Sequence, residues 1–408
     1  MAAIYSSGST VVFKITAGAS GAGLAESTYG TPITTFMRQL RLKPSKLTLK
    51  KDTYTTDEVR SDRGISDVRH GMKKVEGTLE GDLMLSDFDD LLAYALQDAD
   101  GFLASAPSNW SIRNGVNLQS FGLEQGFTDI NQFRLYKGVS VAKMKISIKP
   151  GAMVGISFDV IGQDAATGTA TNAGTTVAPS SNSPVSYAGG SILEGGTAIA
   201  YITGLDFELD NGIGQVGVIG SNVAPAVFNG RSSIKGTGTA LFKDQVMLNK
   251  FINETESSIQ VALTDPTGAS ITFTIPRIKY TGGDIAPPKD GATIITLPFE
   301  GLITQLVSSA SSTSMAVTAQ VGPGSVTFTK VAGTSFITEG YKPGMILTTS
   351  GLTTPANNGD WLITSVAAQV LTCQVPTGVT TVLQAAGAFG NAAGAFTAQP
   401  QNISIVKS

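Results

Sequence analysis

The sequence predicts a mainly β protein in which two tandem copies of one module precede a smaller all-β domain. Most of the chain consists of short alternating apolar and polar stretches bounded by Gly, Pro, Asn and Asp, the pattern of half-buried strands. A segment of the first half also recurs in the second half at a constant offset. The length of 408 residues fits about three domains at roughly 150 residues each.

The internal repeat is clearest where a glycine leads into a strand. Residues 70–78 (HGMKKVEGT) align without gaps with residues 229–237 (NGRSSIKGT), so both glycines of each segment coincide. A helical segment follows each copy. Chance similarity between short β segments is the alternative explanation. Because strand, turn and helix recur in the same order, we interpret the pattern as two copies of one module.

One helix is predicted in each copy. In the first copy it spans residues 86–97, since Ser86 can cap it, three Asp residues suit the positive end of the helix dipole, and apolar residues recur with helical spacing. These apolar residues are Phe88, Leu91, Leu92, Ala95 and Leu96. The second copy predicts a helix over 244–253 with the apolar stripe Leu248, Phe251 and Ile252.

Two stretches rich in small and polar residues indicate linkers, because they cannot bury enough surface to order themselves. They divide the chain into a first module (1–164), a linker (165–190), a second module (191–307), a short linker (308–316) and a C-terminal domain (317–408).

Composition excludes several classes of function. The net charge of -3 provides no general basic surface for nucleic acid phosphates. Cys373 and His70 are the only cysteine and histidine, which excludes disulfide frameworks and multi-thiolate or multi-histidine metal sites. Residues 212–217 fit G-x-G-x-x-G, but no helix pattern follows, so we expect a loop and not a dinucleotide site. We therefore predict no enzyme and no cofactor.

The chain also carries features of a self-associating protein. No signal peptide and no apolar run of membrane-spanning length is found, so no membrane partner is expected. Only 14% of residues are charged, and low charge together with exposed apolar surface favours association.

The loop 52–69 mixes charges of both signs. These could pair with a neighbouring subunit and fix its register, or belong to an ordinary solvated loop. The candidates for the interface are Asp57, Glu58, Arg60, Asp62, Arg63, Asp67 and Arg69.

Two charged stripes lie on alternate positions of two predicted strands. The acidic stripe is Glu76, Glu80 and Asp82, and the basic stripe is Lys143, Lys145 and Lys149. The two stripes either pair across one sheet, or the acidic one lines a channel that repels phosphates.

Three segments together resemble a known family, the major tail tube proteins of long-tailed bacteriophages. They are residues 54–60 (YTTDEVR) leading to 70–71, residues 127–138 (FTDINQFRLYKG) and residues 149–158 (KPGAMVGISF). The resemblance covers about residues 33–164, and the second copy more weakly. Residues 333–366 look like a small β-barrel decoration module often appended to such proteins.

The resemblance implies a β-sandwich or barrel module with a flanking helix, arranged in stacked rings of six modules around a lumen. A chain with two modules would complete a ring as a trimer with pseudo-sixfold symmetry. The implied partners are further copies of the chain, the tape-measure protein and transient double-stranded DNA in the lumen, and the tail terminator and tail tip proteins. The implied location is the virion tail, assembled in the bacterial host cytoplasm. The loops 52–69 and 212–228 would lie between rings.

Comparison of the two copies adds one expectation. Lys46 and Lys50 of the first copy occupy the positions at which the second copy has Asp206 and Asp210. If modules meet edge to edge, these opposite charges favour alternation of the two copies around the ring. The competing function from another class is a surface or secreted adhesin that binds carbohydrate, although its two tryptophans are too few and too scattered to form a sugar platform.

Overall fold

A computed structural model describes residues 10–17, 25–59, 61–62, 64–97, 110–305, 307–309, 315–317, 320–321, 324–330, 334–350, 352, 357–375, 380–381, 395–398 and 401–407. The described chain is mainly β, as predicted.

The described residues of the first unit form ten strands and one helix. Their bounds are β1 Val11–Thr16, β2 Phe36–Leu40, β3 Lys46–Thr55, β4 Val68–Asp82, α1 Asp89–Leu96, β5 Trp110–Arg113, β6 Phe121–Phe127, β7 Gln132–Ile148, β8 Gly155–Gly162, β9 Asp164–Gly168 and β10 Thr175–Val177.

The long strand β7 connects two sheets of this unit. Its first half pairs with β6 and β9, and β6 continues through β1 to β2. Its second half pairs with β8, which continues through β4 to β3. The inward residues of both sheets meet in one core that contains Phe121, Tyr136 and Phe158. A shared strand therefore holds the two layers in a fixed relation.

Helix α1 is buried on all sides, although its sequence predicts an amphipathic helix. Its apolar side chains pack in the core, where Phe88, just before α1, stacks on Phe158 and Tyr94 on Phe121. Complete burial of each such side chain stabilises the fold by about 1.5–3 kcal/mol. Ser86 is not the N-cap as predicted: Phe88 occupies that position, and the Ser86 N–H donates to Asp89 Oδ1 at 3.1 Å.

The acidic residues at the start of α1 are buried, and each lies near a basic residue from another segment. Asp87 pairs with Arg41 at 2.7 Å, Asp89 with Lys407 at 2.6 Å, and Asp90 lies 3.4 Å from Arg38. A buried charge is tolerated only when it is paired in this way. Three separate parts of the chain thus meet at one helix terminus: the middle of β2, the segment after β2, and strand β30.

The second unit likewise has ten strands and one helix among its described residues. Its bounds are β11 Gly190–Glu194, β12 Thr197–Ala198, β13 Ile202–Asp210, β14 Gly214–Gln215, β15 Val227–Phe228, β16 Ser233–Leu241, α2 Val246–Ile252, β17 Ser257–Thr264, β18 Ser270–Tyr280, β19 Asp284–Ala286 and β20 Ile294–Gly301. Strand β16 lies between β13 and β20, and β20 is flanked on its other side by β18 and β19. The predicted helix is present, but Ile252 of its expected apolar stripe is 62% exposed, and Met247 is buried instead.

The C-terminal unit is a smaller β structure with its own core. Its bounds are β21 Val307–Ser309, β22 Met315–Val317, β23 Gln320–Val321, β24 Gly324–Lys330, α3 Phe336–Glu339, β25 Ile346–Ser350, β26 Gly359–Val366, β27 Val370–Val375, β28 Thr380–Thr381, β29 Ala395–Ala398 and β30 Ser404–Lys407. Phe328, Phe336 and Trp361 centre that core, and Cys373 is buried within it, as its apolar surroundings predict.

Strand β30 leaves the C-terminal unit and returns to the other two. It lies between β18 of the second unit and β5 of the first. The segment before it meets the end of the second unit, where the Thr304 N–H donates to the Gln401 carbonyl at 2.9 Å. The C-terminal unit is therefore an insertion whose two ends lie side by side.

The stretch 165–190, predicted as a linker, is ordered by pairing and by polar contacts. Strand β9 pairs with β7, and β10 pairs parallel to β2. The buried Glu124 carboxylate accepts hydrogen bonds from Thr171 and Asn172. Small polar residues are ordered here because they satisfy buried groups of the first unit. Of the second predicted linker, residues 310–314 lie outside the described residues.

Candidate assembly interface

The two four-stranded halves of the molecule join in one continuous sheet. Strand β13 pairs with the second half of β7, from Leu205 opposite Ile148 to Asp210 opposite Lys143. The resulting strand order is β3-β4-β8-β7-β13-β16-β20-β19, with β18 continuing β19 along the same side of β20. We call this the arc, and the β7–β13 contact the inner seam.

The inner seam is charged on its solvent-facing side. Lys143 Nζ lies 3.1 Å from Glu208 and 3.0 Å from Asp210. Hydrogen bonds to Asp210 and Glu208 raise the pKa of Lys143. Burial raises the pKa of Asp210, but hydrogen bonds from the Gly212 N–H and from Lys143 outweigh it and lower that pKa. The seam thus joins a basic strand to an acidic one.

The predicted inter-module residues fall at two different places in the arc. Asp206 and Asp210 lie in β13 at the inner seam, opposite Ser147 and Lys143 of the same chain. Lys46 and Lys50 lie in β3, which pairs only with β4 among the described strands. The lysines and aspartates therefore do not meet within one chain. Lys50 pairs instead with Glu76.

The two ends of the arc have unpaired edges in the described chain. One is β3, whose exposed Lys46 and Lys50 flank Thr48 on the outer face while Leu47 points into the core. The other is β19, which pairs only with β20 and carries the exposed Asp284 on the outer face beside Thr296. Unpaired edges present N–H and C=O groups that can bond a further strand.

The acidic stripe lies on the outer face of β4. Glu76 pairs with Lys74 at 2.6 Å and with Lys50, and these hydrogen bonds, that from Lys50 first, lower its pKa. Asp82 pairs with Lys43 at 2.7 Å, and Glu80 is exposed. The acidic and basic stripes do not pair with each other, because β8 lies between β4 and β7. Both stripes share one face of the arc, since Asp159 of β8 is opposite both Thr78 and Lys143.

The basic stripe is only partly in a strand. Lys143 and Lys145 lie in the second half of β7, whereas Lys149 follows its last residue. Lys145 and Lys149 are exposed. The outer face of the arc is therefore mixed in charge and not uniformly acidic.

The loop between β3 and β4 is exposed along its described length. Asp67 pairs with Arg69 at 2.5 Å, and both side chains are largely exposed, at 44% and 81%. Asp57, Glu58 and Asp62 are also exposed. Arg60 and Arg63 lie outside the described residues. The loop remains available to contact another molecule.

The corresponding loop of the second unit packs onto the first. The Lys73 N–H donates to the Asn222 carbonyl at 2.8 Å, and Gln163 Nε2 donates to the Ala224 carbonyl at 2.7 Å. Gln215 bonds Tyr29 and the Gly162 carbonyl, both at 3.0 Å. This loop has almost no charge and is held largely through backbone groups. The predicted glycine-rich loop 212–217 belongs to it, and no helix follows.

Sequence patterns did not predict where three residues of the inner seam and of the β19 edge lie in the arc. Lys143 and Glu208 meet across the inner seam, and Asp284 lies at the free edge of β19. The sequence shows the alternation of charged residues along 143–145 and 206–210, but it does not show which strands pair with each other.

Two other kinds of site are absent from the described residues. In the described ranges, no helix is both long enough and apolar enough to cross a membrane. No group of three or more His, Cys, Asp or Glu side chains that could hold a metal ion occurs among the same residues.

Comparison with known proteins decides the family. The family model described as "Phage tail tube protein" matches residues 16–303, most of the chain and both halves of the arc. The chain belongs to the phage tail tube protein family. A tail tube protein is a structural component of the virion tail, and membership implies self-assembly and contacts with other tail components.

The other comparisons add less to this tail tube protein. No curated protein matches it. Among solved structures, it is similar to the Dit (gp 19.1) protein of phage SPP1, described as a hub of the adsorption apparatus in phages that infect Gram-positive bacteria. The identity is 9%, the match covers 53% of this chain and 97% of that chain, and the TM-score is 0.16.

Proposed function

We propose that the protein is the repeating subunit of a phage tail tube, in which three copies form a ring of six modules and rings stack around a lumen that conducts DNA during genome ejection. The observation that carries the proposal is the arc with an unpaired edge at each end. Joining such arcs edge to edge closes a barrel and leaves no free edge.

The proposed number of copies rests on the internal duplication that the sequence predicts. The inner seam already joins two four-stranded units within one chain, β3-β4-β8-β7 and β13-β16-β20-β19, with β18 next to β19 on the same side of β20. If the same contact recurs between chains, it is heterologous and repeats by rotation until the ring closes. Six units of the tail tube family then correspond to three chains.

The outer face of the arc is the surface that would line the lumen. Its opposite face carries Leu47, Val75 and Phe207 into the hydrophobic core and is covered by the rest of each unit. Glu76, Glu80 and Asp82 would then face the lumen together with Lys46 and Lys50. Because acidic side chains are interspersed with the lysines on this face and several of the charges are paired locally, the face would hold DNA phosphates less firmly than a uniformly basic surface.

The exposed loop between β3 and β4 is suited to contact the neighbouring ring. Its charged residues, Asp57, Glu58, Arg60, Asp62, Arg63, Asp67 and Arg69, would set the register between rings. The remaining proposed partners are the tape-measure protein, tail terminator and tail tip proteins, and the proposed place of assembly is the host cytoplasm. No catalytic step is required of the subunit.

Electron microscopy and native mass spectrometry of the purified full chain test this proposal. We expect hollow rings and stacked tubes, and a mass of three chains for one isolated ring. Rings of six chains would overturn the trimer. Monomers that persist at high concentration and ionic strength would overturn the tube function.

A further inference from the structure

We infer that a second copy of this chain docks its β3 against β19 of the first, with Thr48 opposite Asp284 and with charges reversed relative to the inner seam. This inference rests on the proposed ring and specifies its intermolecular contact. It follows from two independent registers in the structure, one for each edge.

The first register shows that β3 is the equivalent of β13. In the first unit, Lys46 is opposite Thr78 and Leu47 is opposite Gly77. In the second unit, the same sequence positions of the repeat, Thr237 and Gly236, are opposite Asp206 and Phe207. Lys46 therefore corresponds to Asp206, and by the same alignment Thr48 corresponds to Glu208 and Lys50 to Asp210.

The second register shows that β19 is the equivalent of the second half of β7. Strand β8 aligns with β20 because their neighbours β4 and β16 are equivalent strands of the repeat. Gly81 of β4 and Ala240 of β16 occupy the same position of the repeat, and they lie opposite Ile156 and Ile295. Lys145 is opposite Ser157 next to Ile156, and Asp284 is opposite Thr296 next to Ile295. Lys145 therefore corresponds to Asp284. An irregular segment between β18 and β19, residues 281–283, hides this correspondence in the sequence.

The inner seam then serves as the template for the contact between chains. There, Glu208 lies opposite Lys145 and Asp206 opposite Ser147. Transfer of both registers places Thr48 opposite Asp284, and Lys46 opposite the backbone of the last residue of β19. Leu47 comes opposite Ile285, so that an apolar pair faces the core below the charged row.

The charges of the two seams are reversed. At the inner seam the β7 strand is basic and the β13 strand acidic, whereas between chains the β3 strand is basic and β19 acidic. Lys46 and Lys50 lie two residues to either side of Thr48, so both are diagonal neighbours of Asp284, within reach of long side chains. Antiparallel pairing of two β3 edges would instead bring lysines together, which is unfavourable.

Charge reversal tests the contact. We expect the double variant Lys46→Glu/Lys50→Glu to reduce ring and tube yield at least tenfold, and addition of Asp284→Lys to restore it. The matched control is Lys149→Glu/Lys243→Glu, which reverses two exposed lysines outside both edges and should assemble like the wild type. Thermal unfolding of each monomer separates an assembly defect from a folding defect. Normal assembly of the double variant overturns the inference, and so does failure of Asp284→Lys to rescue a correctly folded double variant.

Cysteine cross-linking tests the register directly. Thr48→Cys combined with Asp284→Cys, treated with an oxidant in assembled rings, should yield a ladder of linked chains that ends at three. In the control, Thr48→Cys is combined with Thr296→Cys. The second thiol then lies on β20, one strand spacing of about 4.8 Å beyond β19, and no linked chains should form. If the first variant forms rings but residues 48 and 284 do not become linked, the register is overturned and the tube function stands. Absence of rings in the wild type overturns the tube function itself.

Discussion

Replacement of Lys407 by Met tests whether the returning strand β30 holds the first unit together. Lys407 Nζ lies 2.6 Å from Asp89 Oδ2 and 2.9 Å from Ser86 Oγ. Its side chain is 4% exposed and that of Asp89 is 7% exposed. In Lys407→Met the Asp89 carboxylate stays buried and keeps two neutral donors, Trp110 Nε1 at 2.9 Å and the Ser86 N–H at 3.1 Å.

Breaking a buried ion pair by removing one partner costs about 3–5 kcal/mol. Because two donors to Asp89 remain, we expect the lower end, about 3 kcal/mol. Guanidinium unfolding followed by tryptophan fluorescence measures it, since Trp110 lies in β5 directly opposite Lys407. The control is Lys43→Met, which breaks the Lys43–Asp82 pair, whose side chains are 51% and 30% exposed. An exposed pair contributes about 0–1 kcal/mol.

The double variant Lys407→Met/Asp89→Asn completes the test. It removes the unpaired carboxylate and should recover part of the lost stability, because a buried amide is cheaper to desolvate than a charge. Equal shifts of the unfolding midpoint in Lys407→Met and Lys43→Met would refute the reasoning, since burial would then have no bearing on the strength of the pair.

Three further predictions concern other parts of the fold. Replacement of residues 305–400 by a short Gly-Ser linker should leave a protein that folds and assembles, because this variant retains β30. Truncation after residue 303 removes β30 and should prevent assembly. Equal assembly of the two variants, seen by electron microscopy, would contradict this prediction. Burial, aided by Asp89 and opposed by Arg38, raises the pKa of Asp90 to about 7. Because the pKa of Asp90 is higher in the folded than in the unfolded state, the free energy of unfolding should fall by up to about 1.4 kcal/mol per pH unit as pH rises from about 4 to 7. Asp90→Asn should make the melting temperature depend less on pH over this range. The same slope in the variant and the wild type would count against the prediction. Burial also raises the pKa of the Cys373 thiol, so iodoacetamide should label it only in denaturant, and rapid labelling of the native protein would contradict its burial.

Local sequence patterns predicted an element well where the spacing of apolar residues within that element determines its structure. Alternation over β4, helical spacing over α1 and the apolar surroundings of Cys373 each depend on neighbours in sequence. The positions of the charged residues at the start of α1 were also visible, but their burial was not. Asp87 and Asp89 are buried only because Arg41 and Lys407 arrive from distant segments.

The candidate interface was predictable only in part, for a related reason. The opposite charges at Lys46 and Asp206 are present in the sequence alignment of the two copies. Their true neighbours depend on the strand order, which pairs β13 with β7 of the same chain. The counterpart of Lys145, Asp284, is displaced in the sequence by the irregular segment before β19, and only strand register reveals it.

The position of β30 has a consequence for how the protein folds during synthesis. The Lys407–Asp89 contact spans 318 positions of the chain, and β30 leaves the ribosome after every other described strand. Contacts so distant in sequence form late and slow the folding of a domain. The edge of β5 then lacks β30, and the Asp89 carboxylate lacks Lys407, until residues 404–407 have been synthesised. A subunit that stays unfinished in this way has little opportunity to polymerise before β30 has been synthesised.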